Sequence, residues 1–169
     1  DLFYKLPALQ QQGVKIHLHC FYKNRVPQPE LNKYCEEVFY YQRNTSRKTI
    51  FSNLPYIVAS RVNEDLHQRL LKDNYPVLME GVHCTYITTD ERFSNRKKFV
   101  RIYNVENEYY KQLFKFSHNL TNKVYYRVEA KKLLKYEKML AKNASAYWSV
   151  ACTDADYYKN KLNCKTIDY

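Results

Sequence analysis

Residues 75–110 read YPVLMEGVHCTYITTDERFSNRKKFVRIYNVENEYY, and the interpretation of the whole chain starts from this stretch. Two short apolar runs, 76–79 (PVLM) and 99–103 (FVRIY), have the length and composition of buried strands. Both runs end abruptly in acid, amide or imidazole side chains. Because ligands of open α/β sheets bind beyond the carboxyl ends of the strands, we expect one shared crevice there. The residues that follow the two runs are Glu80, Gly81, His83, Asn104, Glu106 and Asn107.

The rest of the chain alternates between strand-like and helix-like patterns. Short apolar runs predict strands, and apolar residues spaced three or four apart predict helices. Such alternation is typical of a parallel sheet with helices on both faces, so we predict one α/β domain over residues 1–169 with a Rossmann-like open parallel sheet. A charged, mobile connector is predicted at 90–98. The predicted strands are 14–21, 38–41, 55–60, 76–79, 99–103 and 147–151, and the predicted helices are 1–12, 30–37, 64–73, 106–116, 123–142 and 155–162.

The chain of 169 residues carries a net charge of +11 at pH 7. A basic domain attracts phosphate groups, whether in nucleic acid, anionic lipid or a nucleotide-linked substrate. The alternative is that lysines simply solvate helix faces, since many of them fall between Lys131 and Lys142 at helical spacing. No run of about 18 apolar residues occurs, so no transmembrane helix is predicted.

The cysteine pattern predicts neither a disulfide framework nor a zinc site. There are five cysteines, an odd number, and no CxxC pair occurs. His17 and His19 share one face of a predicted strand, but no acid or cysteine stands at a matching spacing. We therefore predict no metal and a reduced protein.

One carboxylate falls on an apolar face. Glu137 shares the face of the predicted helix 123–142 that carries Leu133 and Leu140. A buried carboxylate needs hydrogen-bond partners. We expect Glu137 to accept hydrogen bonds from a neighbouring backbone amide or a buried tyrosine, and a structural role is favoured over a catalytic one.

Three segments of the second half carry a resemblance to a known family. They read RIYNVENEYYKQL (101–113), EAKKLLKYEKML (129–140) and AYWSVACTDADYY (146–158). In order and spacing they resemble the amino-terminal half of bacterial retaining glycosyltransferases of the GT-B type, family 4. The upstream strand ending in Glu80, Gly81 and His83 is similar to the preceding strand of that family. The matching residues are Arg101, Asn104, Glu106, Tyr109, Tyr110, Glu129, Ala130, Tyr136, Glu137, Ser149 and Asp154.

The resemblance implies one half of a GT-B fold that transfers a hexose from a nucleotide-sugar donor to a saccharide or lipid-linked acceptor. This half would supply the acceptor side. The family's first strand and glycine-rich loop would precede Asp1, and the donor-binding half would follow Tyr169. Residues 1–169 alone are then expected to be inactive and to bind nucleotide-sugars poorly. The resemblance further implies no cofactor. The cysteine pattern indicates a cytoplasmic protein, with peripheral contact to an anionic inner membrane face left open.

Within this hypothesis His83 and Glu106 are the predicted catalytic residues. Tyr103 departs from the family, which often has histidine there. Structural alternatives remain open: His83 could bond a backbone carbonyl, and Arg101 could pair with a buried acid. For the whole chain, a basic nucleic-acid-binding module and a non-catalytic flavodoxin-like domain are the alternatives. The first is disfavoured, because no RNP pattern, helix-turn-helix signal or glycine-rich loop occurs. The predicted acceptor-binding residues are Glu80, Gly81, Arg101, Tyr103, Asn104 and Asn107.

Overall fold

A computed structural model describes residues 2–169, apart from the side chain of Leu2. The fold is α/β, with two parallel sheets flanked by helices. Strands β1 (His17–Tyr22) and β2 (Glu37–Gln42) form a two-stranded sheet. Strands β3 (Val77–Glu80), β4 (Lys98–Ile102), β5 (Ala146–Ser149) and β6 (Ile167–Asp168) form a four-stranded sheet in chain order. The predicted Rossmann-like parallel architecture is thus confirmed.

The described part of the chain contains six α-helices, one before the first strand and five between strands. Four further segments, 29–33, 47–51, 82–89 and 91–93, are 3₁₀ turns. The predicted start of the first helix at Asp1 lies outside the described residues. The helices are α1 (Leu2–Gln11), α2 (Tyr56–Ala59), α3 (Glu64–Leu70), α4 (Glu106–Phe116), α5 (Leu120–Leu140) and α6 (Cys152–Lys161).

The main core lies between the four-stranded sheet and the helices that cover it. Val100 and Ile102 of β4 are fully buried, as are Leu140 of α5 and Tyr158 of α6. Burying such side chains stabilises a domain by about 1.5–3 kcal/mol each. A smaller cluster around Leu133 joins α5 to α4. The core therefore fixes the positions of β4, α4, α5 and α6 relative to one another.

The predicted strand at 55–60 is wrong, since this run forms the short helix α2. Pro55 precedes the helix with φ −56°, and the Tyr56 N–H is bound by a carboxylate of α5, Glu129, at 2.6 Å. Short apolar runs do not distinguish a buried strand from a buried helical turn. The capping carboxylate lies far along the chain, so the local sequence does not reveal it.

The predicted mobile connector at 90–98 is also wrong. Phe93 and Arg96 are buried, and Lys98 begins β4. The Arg96 guanidinium binds the Asp73 carboxylate at 2.5 Å and the carbonyl of Tyr75 at 2.7 Å. Charge alone suggested a solvated segment, but each buried cation here has an internal partner, as burial requires.

Several boundaries differ from the prediction, and so does one strand pairing. The predicted helix 30–37 is a 3₁₀ turn that ends before β2 begins at Glu37. Helix α5 begins at Leu120, earlier than predicted, because the Asn119 side chain caps the amides of Thr121 and Asn122. Strand β1 pairs with β2 and joins no strand of the larger sheet. Side chains connect the two sheets instead, with the His17 and Tyr75 rings 6.0 Å apart.

None of the helices described in residues 2–169 combines the length and apolarity that crossing a membrane requires.

Candidate functional site

The predicted site residues follow two strands that are direct neighbours. Strands β3 and β4 run parallel, with Glu80 opposite Arg101, and the Gly81 N–H donates to the Arg101 carbonyl at 2.9 Å. Their carboxyl ends therefore meet at one edge of the sheet. The residues that follow them, including His83 and Glu106, are brought to that edge together.

Gly81 allows His83 to fold back over the backbone. Its φ of +95° lies in a region that side chains other than glycine rarely occupy. A Cβ at this position would lie 2.6 Å from Cε1 of the His83 ring. Gly81 therefore has a structural role, because its lack of a side chain leaves the space that the His83 imidazole occupies.

Glu80 and Tyr103 form an internal polar pair. The Tyr103 hydroxyl donates to one oxygen of Glu80, and Lys5 Nζ of α1 lies 2.6 Å from the other. Burial and this hydrogen bond raise the pKa of Tyr103 to about 12, so its hydroxyl stays protonated. The Arg101 guanidinium lies over the Tyr103 ring at 5.3 Å. These side chains therefore bind one another and tie α1 to the carboxyl edge of the larger sheet.

Asn107 is fully buried, and its polar groups form hydrogen bonds with other residues of the protein. Its N–H and its side-chain Nδ2 donate to Oε2 of Glu137 at 3.1 and 2.8 Å, and its Oδ1 accepts from the Tyr157 hydroxyl at 3.2 Å. The other Glu137 oxygen accepts from the Glu106 N–H and the Tyr158 hydroxyl, both at 2.9 Å. The expectation that Glu137 binds backbone amides and a buried tyrosine is confirmed. Asn107 offers no exposed surface to a ligand.

Two buried carboxylates of α5 thus cap the amino ends of two other helices. Glu137 caps α4, and Glu129 caps α2 through the Tyr56 N–H. Glu129 also binds Lys132 Nζ at 2.9 Å. Because Glu137 already accepts the first amides of α4, that helix start is not free to bind an anion, although helix starts often do. Both matches to the glycosyltransferase pattern have a structural use here.

The Glu106 carboxyl is the acid of the site whose pKa is most suited to proton transfer. Burial, and then the charge of nearby Glu137, raise its pKa to about 7, while Arg61 opposes the shift. A carboxyl that titrates near neutral pH can exchange protons with a substrate under physiological conditions. Asn104, two residues earlier, is exposed.

His83 is neutral at physiological pH. Burial and the charges of Arg61 and Arg43 lower its pKa to about 4. A neutral imidazole can donate one hydrogen bond and accept another, so it can orient a hydroxyl without adding charge.

Arg43 and Arg61 lie near His83 but were not predicted from the sequence. Arg43 directly follows β2, and its N–H donates to the Tyr22 carbonyl at the end of β1 at 2.8 Å. Arg61 follows α2 and lies near Glu106 and Cys84. The signal used for Glu80 and Asn104, polar groups just after an apolar run, also applies to both arginines. Applied to every run, it would have found them.

A separate groove of about 320 Å³ lies between β2 and α3. Its walls include Phe39, which is covered by the Arg69 guanidinium at 4.2 Å, together with Gln68 and Lys72. None of the residues of the carboxyl edge lines it. Because the chemistry-bearing side chains converge at the edge and not in the groove, we place the candidate site at the edge.

The raised pKa of Glu106 predicts a pH-dependent stability. Its pKa is higher in the folded chain than in the unfolded one, so ionising Glu106 opposes folding and stability falls as pH rises from about 4.5 to about 7. Glu106→Gln should remove that loss and stabilise the chain by on the order of 2 kcal/mol at about pH 8, with little effect at about pH 4. Urea unfolding at both pH values measures this. Equal effects at the two pH values would contradict the expectation.

Metal ligands do not gather in the described part of the chain. Residues 2–169 hold no group of three or more His, Cys, Asp or Glu side chains placed to bind one ion.

Comparison with known proteins gives one informative similarity. The chain is similar to an uncharacterized 44.6 kDa protein in the cps region of Klebsiella pneumoniae, with 26% identity over 135 residues. The matched part covers 76% of this chain and 35% of that protein, so the chain spans about a third of the length of this curated relative. No family model matches the chain. No solved structure matches it either.

Proposed function

We propose that this chain is the acceptor-side domain of a glycosyltransferase that builds a polysaccharide. Three observations support the proposal. The relative from Klebsiella pneumoniae lies in a cps, or capsule polysaccharide, region. The Rossmann-like parallel fold suits a GT-B half. The polar edge of the larger sheet has groups suited to binding a hydroxyl. In the proposal, a nucleotide-sugar donor binds mainly to another part of the full-length protein.

The observation that carries the proposal is Glu106, a carboxyl with a pKa of about 7 near Arg61, at the same edge as neutral His83. In the proposed reaction the acceptor hydroxyl oxygen forms a bond to the anomeric carbon of the donor sugar, on the face from which the diphosphate leaves, so the configuration is retained. The bond to the nucleoside diphosphate breaks, and the diphosphate leaves with its electron pair. Glu106 takes the hydroxyl proton, and His83 orients that hydroxyl through its ring nitrogens. Asn104 is the exposed amide that follows β4 at the same edge of the sheet.

An exposed apolar stripe on α5 supports peripheral contact with an anionic membrane face. Leu120, Val124 and Val128 recur every four residues and are 78%, 65% and 46% exposed. Lysines and arginines lie beside them, among them Lys123 and Arg127. A basic helix with an apolar stripe suits binding in the plane of a membrane surface. This arrangement would let a cytoplasmic enzyme reach a lipid-linked acceptor.

Variants of the full-length protein test the catalytic roles. We expect His83→Ala and Glu106→Gln each to lower polysaccharide output and turnover, the latter by about a hundredfold, because a positioned general base contributes that much or more. Glu108→Gln is the matched control, since it makes the same change two residues along α4, and it should stay within about threefold of the wild type. Cells lacking the gene are complemented with each variant, and nucleoside diphosphate release is measured from UDP- and GDP-sugars.

Normal polysaccharide output from both His83→Ala and Glu106→Gln would contradict the catalytic assignment. It would favour the alternative of a non-catalytic binding domain with the same fold.

A further inference from the structure

We propose that Arg43 and Arg61 form a binding site for a phosphoryl group carried by the acceptor. The assignment to the acceptor rests on the proposed function, whereas the site itself rests on the contacts of the two arginines.

Backbone and side-chain contacts bring the two arginines together. The N–H of Asn44, next to Arg43, donates to the Ser60 carbonyl at 2.9 Å, and Arg43 Nη2 donates to Ser60 Oγ at 3.1 Å. Arg61 is the next residue after Ser60, and its Nη1 donates to the Ile57 carbonyl at 2.7 Å. The end of β2 and the end of α2 therefore hold the two arginines close enough for the charge of one to act on the other.

These two cations lack the carboxylate partners that Arg92 and Arg96 have. Arg92 binds Glu64 and Asp90, and Arg96 binds Asp73. Within residues 2–169, neither Arg43 nor Arg61 forms an ion pair with a carboxylate, and both are half-buried. Arg43 Nε is buried and has no hydrogen-bond partner. Half-buried like charges destabilise a fold, and buried donors are almost always satisfied, so this arrangement indicates an anionic ligand.

The donors present suit a phosphoryl group. Guanidinium forks match phosphate oxygens in pairs, and two forks meet the charge of a phosphate or diphosphate. Neutral His83, which lies near both arginines, adds an uncharged N–H donor. Glu106 lies near Arg61 and is partly protonated near neutral pH, so it opposes a bound anion only in part. The phosphoryl group would thus bind beside the reacting hydroxyl, as in a sugar phosphate or a lipid diphosphate-linked sugar.

Titration calorimetry of the chain with inorganic pyrophosphate, at about 50 mM salt, tests the site. We expect Arg43→Gln/Arg61→Gln to weaken binding at least tenfold. The matched control is Arg47→Gln/Lys48→Gln, which removes the same charge from exposed neighbours and should weaken binding less than about threefold. Equal weakening by the two double variants would mean diffuse charge attraction and overturn the proposal. So would absence of binding to the wild-type chain.

A second measurement needs no variant. The His83 ring is titrated by NMR with and without pyrophosphate, and a bound anion should raise its pKa because it offsets the two positive charges. An unchanged His83 titration at saturating pyrophosphate would overturn the proposal.

Binding of glucose 1-phosphate and of UDP is measured in parallel by titration calorimetry. If UDP binds more tightly than glucose 1-phosphate, and this binding is lost in Arg43→Gln/Arg61→Gln, the assignment to the acceptor is overturned. The two arginines would then bind the donor.

The two proposals fail in different ways. If Glu106→Gln loses turnover but the wild-type chain does not bind pyrophosphate, the transferase proposal stands and the phosphoryl-site proposal fails. Pyrophosphate binding that depends on the arginines, in a protein without transferase activity, would retain the site alone.

Discussion

Glu137→Ala is expected to lower the free energy of unfolding by about 4 kcal/mol. The fully buried carboxylate accepts from the Glu106 and Asn107 amides, the Asn107 side chain and the Tyr158 hydroxyl. Truncation would leave all these donors buried and unsatisfied, and would open a cavity beside α5. Because small domains are stable by only about 5–15 kcal/mol, the variant should be marginal at 37 °C.

Urea unfolding followed by circular dichroism measures the effect. Lys138→Ala, at the next and exposed position of α5, should change the free energy of unfolding by less than about 0.5 kcal/mol. The loss of stability in Glu137→Gln should fall between those of Glu137→Ala and Lys138→Ala. Its amide oxygen still accepts a hydrogen bond, but its NH₂ group faces another donor. A loss below about 1 kcal/mol in Glu137→Ala would contradict the capping role.

Gly81→Ala is expected to destabilise the chain by about 3 kcal/mol. Part of the loss is backbone strain at φ +95°, and part is the collision of the new methyl group with the His83 ring at 2.6 Å. Gly13→Ala is the matched control, because its φ is +77° but no atom lies within 4 Å of the added Cβ. It should cost only about 1 kcal/mol, the strain alone.

The collision can be isolated by a double-mutant cycle. In the His83→Ala background, Gly81→Ala should lose less stability than in the wild type, since the imidazole is absent. The same denaturant unfolding experiment measures all four proteins. Identical losses in both backgrounds would show that His83 does not lie against Gly81.

The elements predicted best are those whose signals are local. Helix α4 has the predicted bounds, 106–116, because acids begin it and apolar residues line one face. Strands β3 and β4 lie within one residue of their predicted starts and ends, since short runs of buried residues mark them. The adjacency of their carboxyl ends follows from parallel pairing and was also predicted.

The features that were missed depend on residues far apart in the chain. Nothing near Tyr56 reveals the Glu129 carboxylate that turns 56–59 into a helix. Asn107 was predicted to bind the acceptor because it follows the strand β4, but the first turn of α4 faces Glu137, which binds this side chain in the interior. The separation of β1 and β2 from the other strands is likewise a property of packing, not of local pattern.

The parallel pairing of every strand has a consequence for how this chain folds. No two strands can pair through a tight hairpin, and even a short closure, such as His17 to Glu37, spans a turn and a loop. Loop entropy must therefore be lost before any sheet hydrogen bond forms, which slows folding. During that delay the strands are apolar and unpaired, so early intermediates of this chain are prone to aggregate.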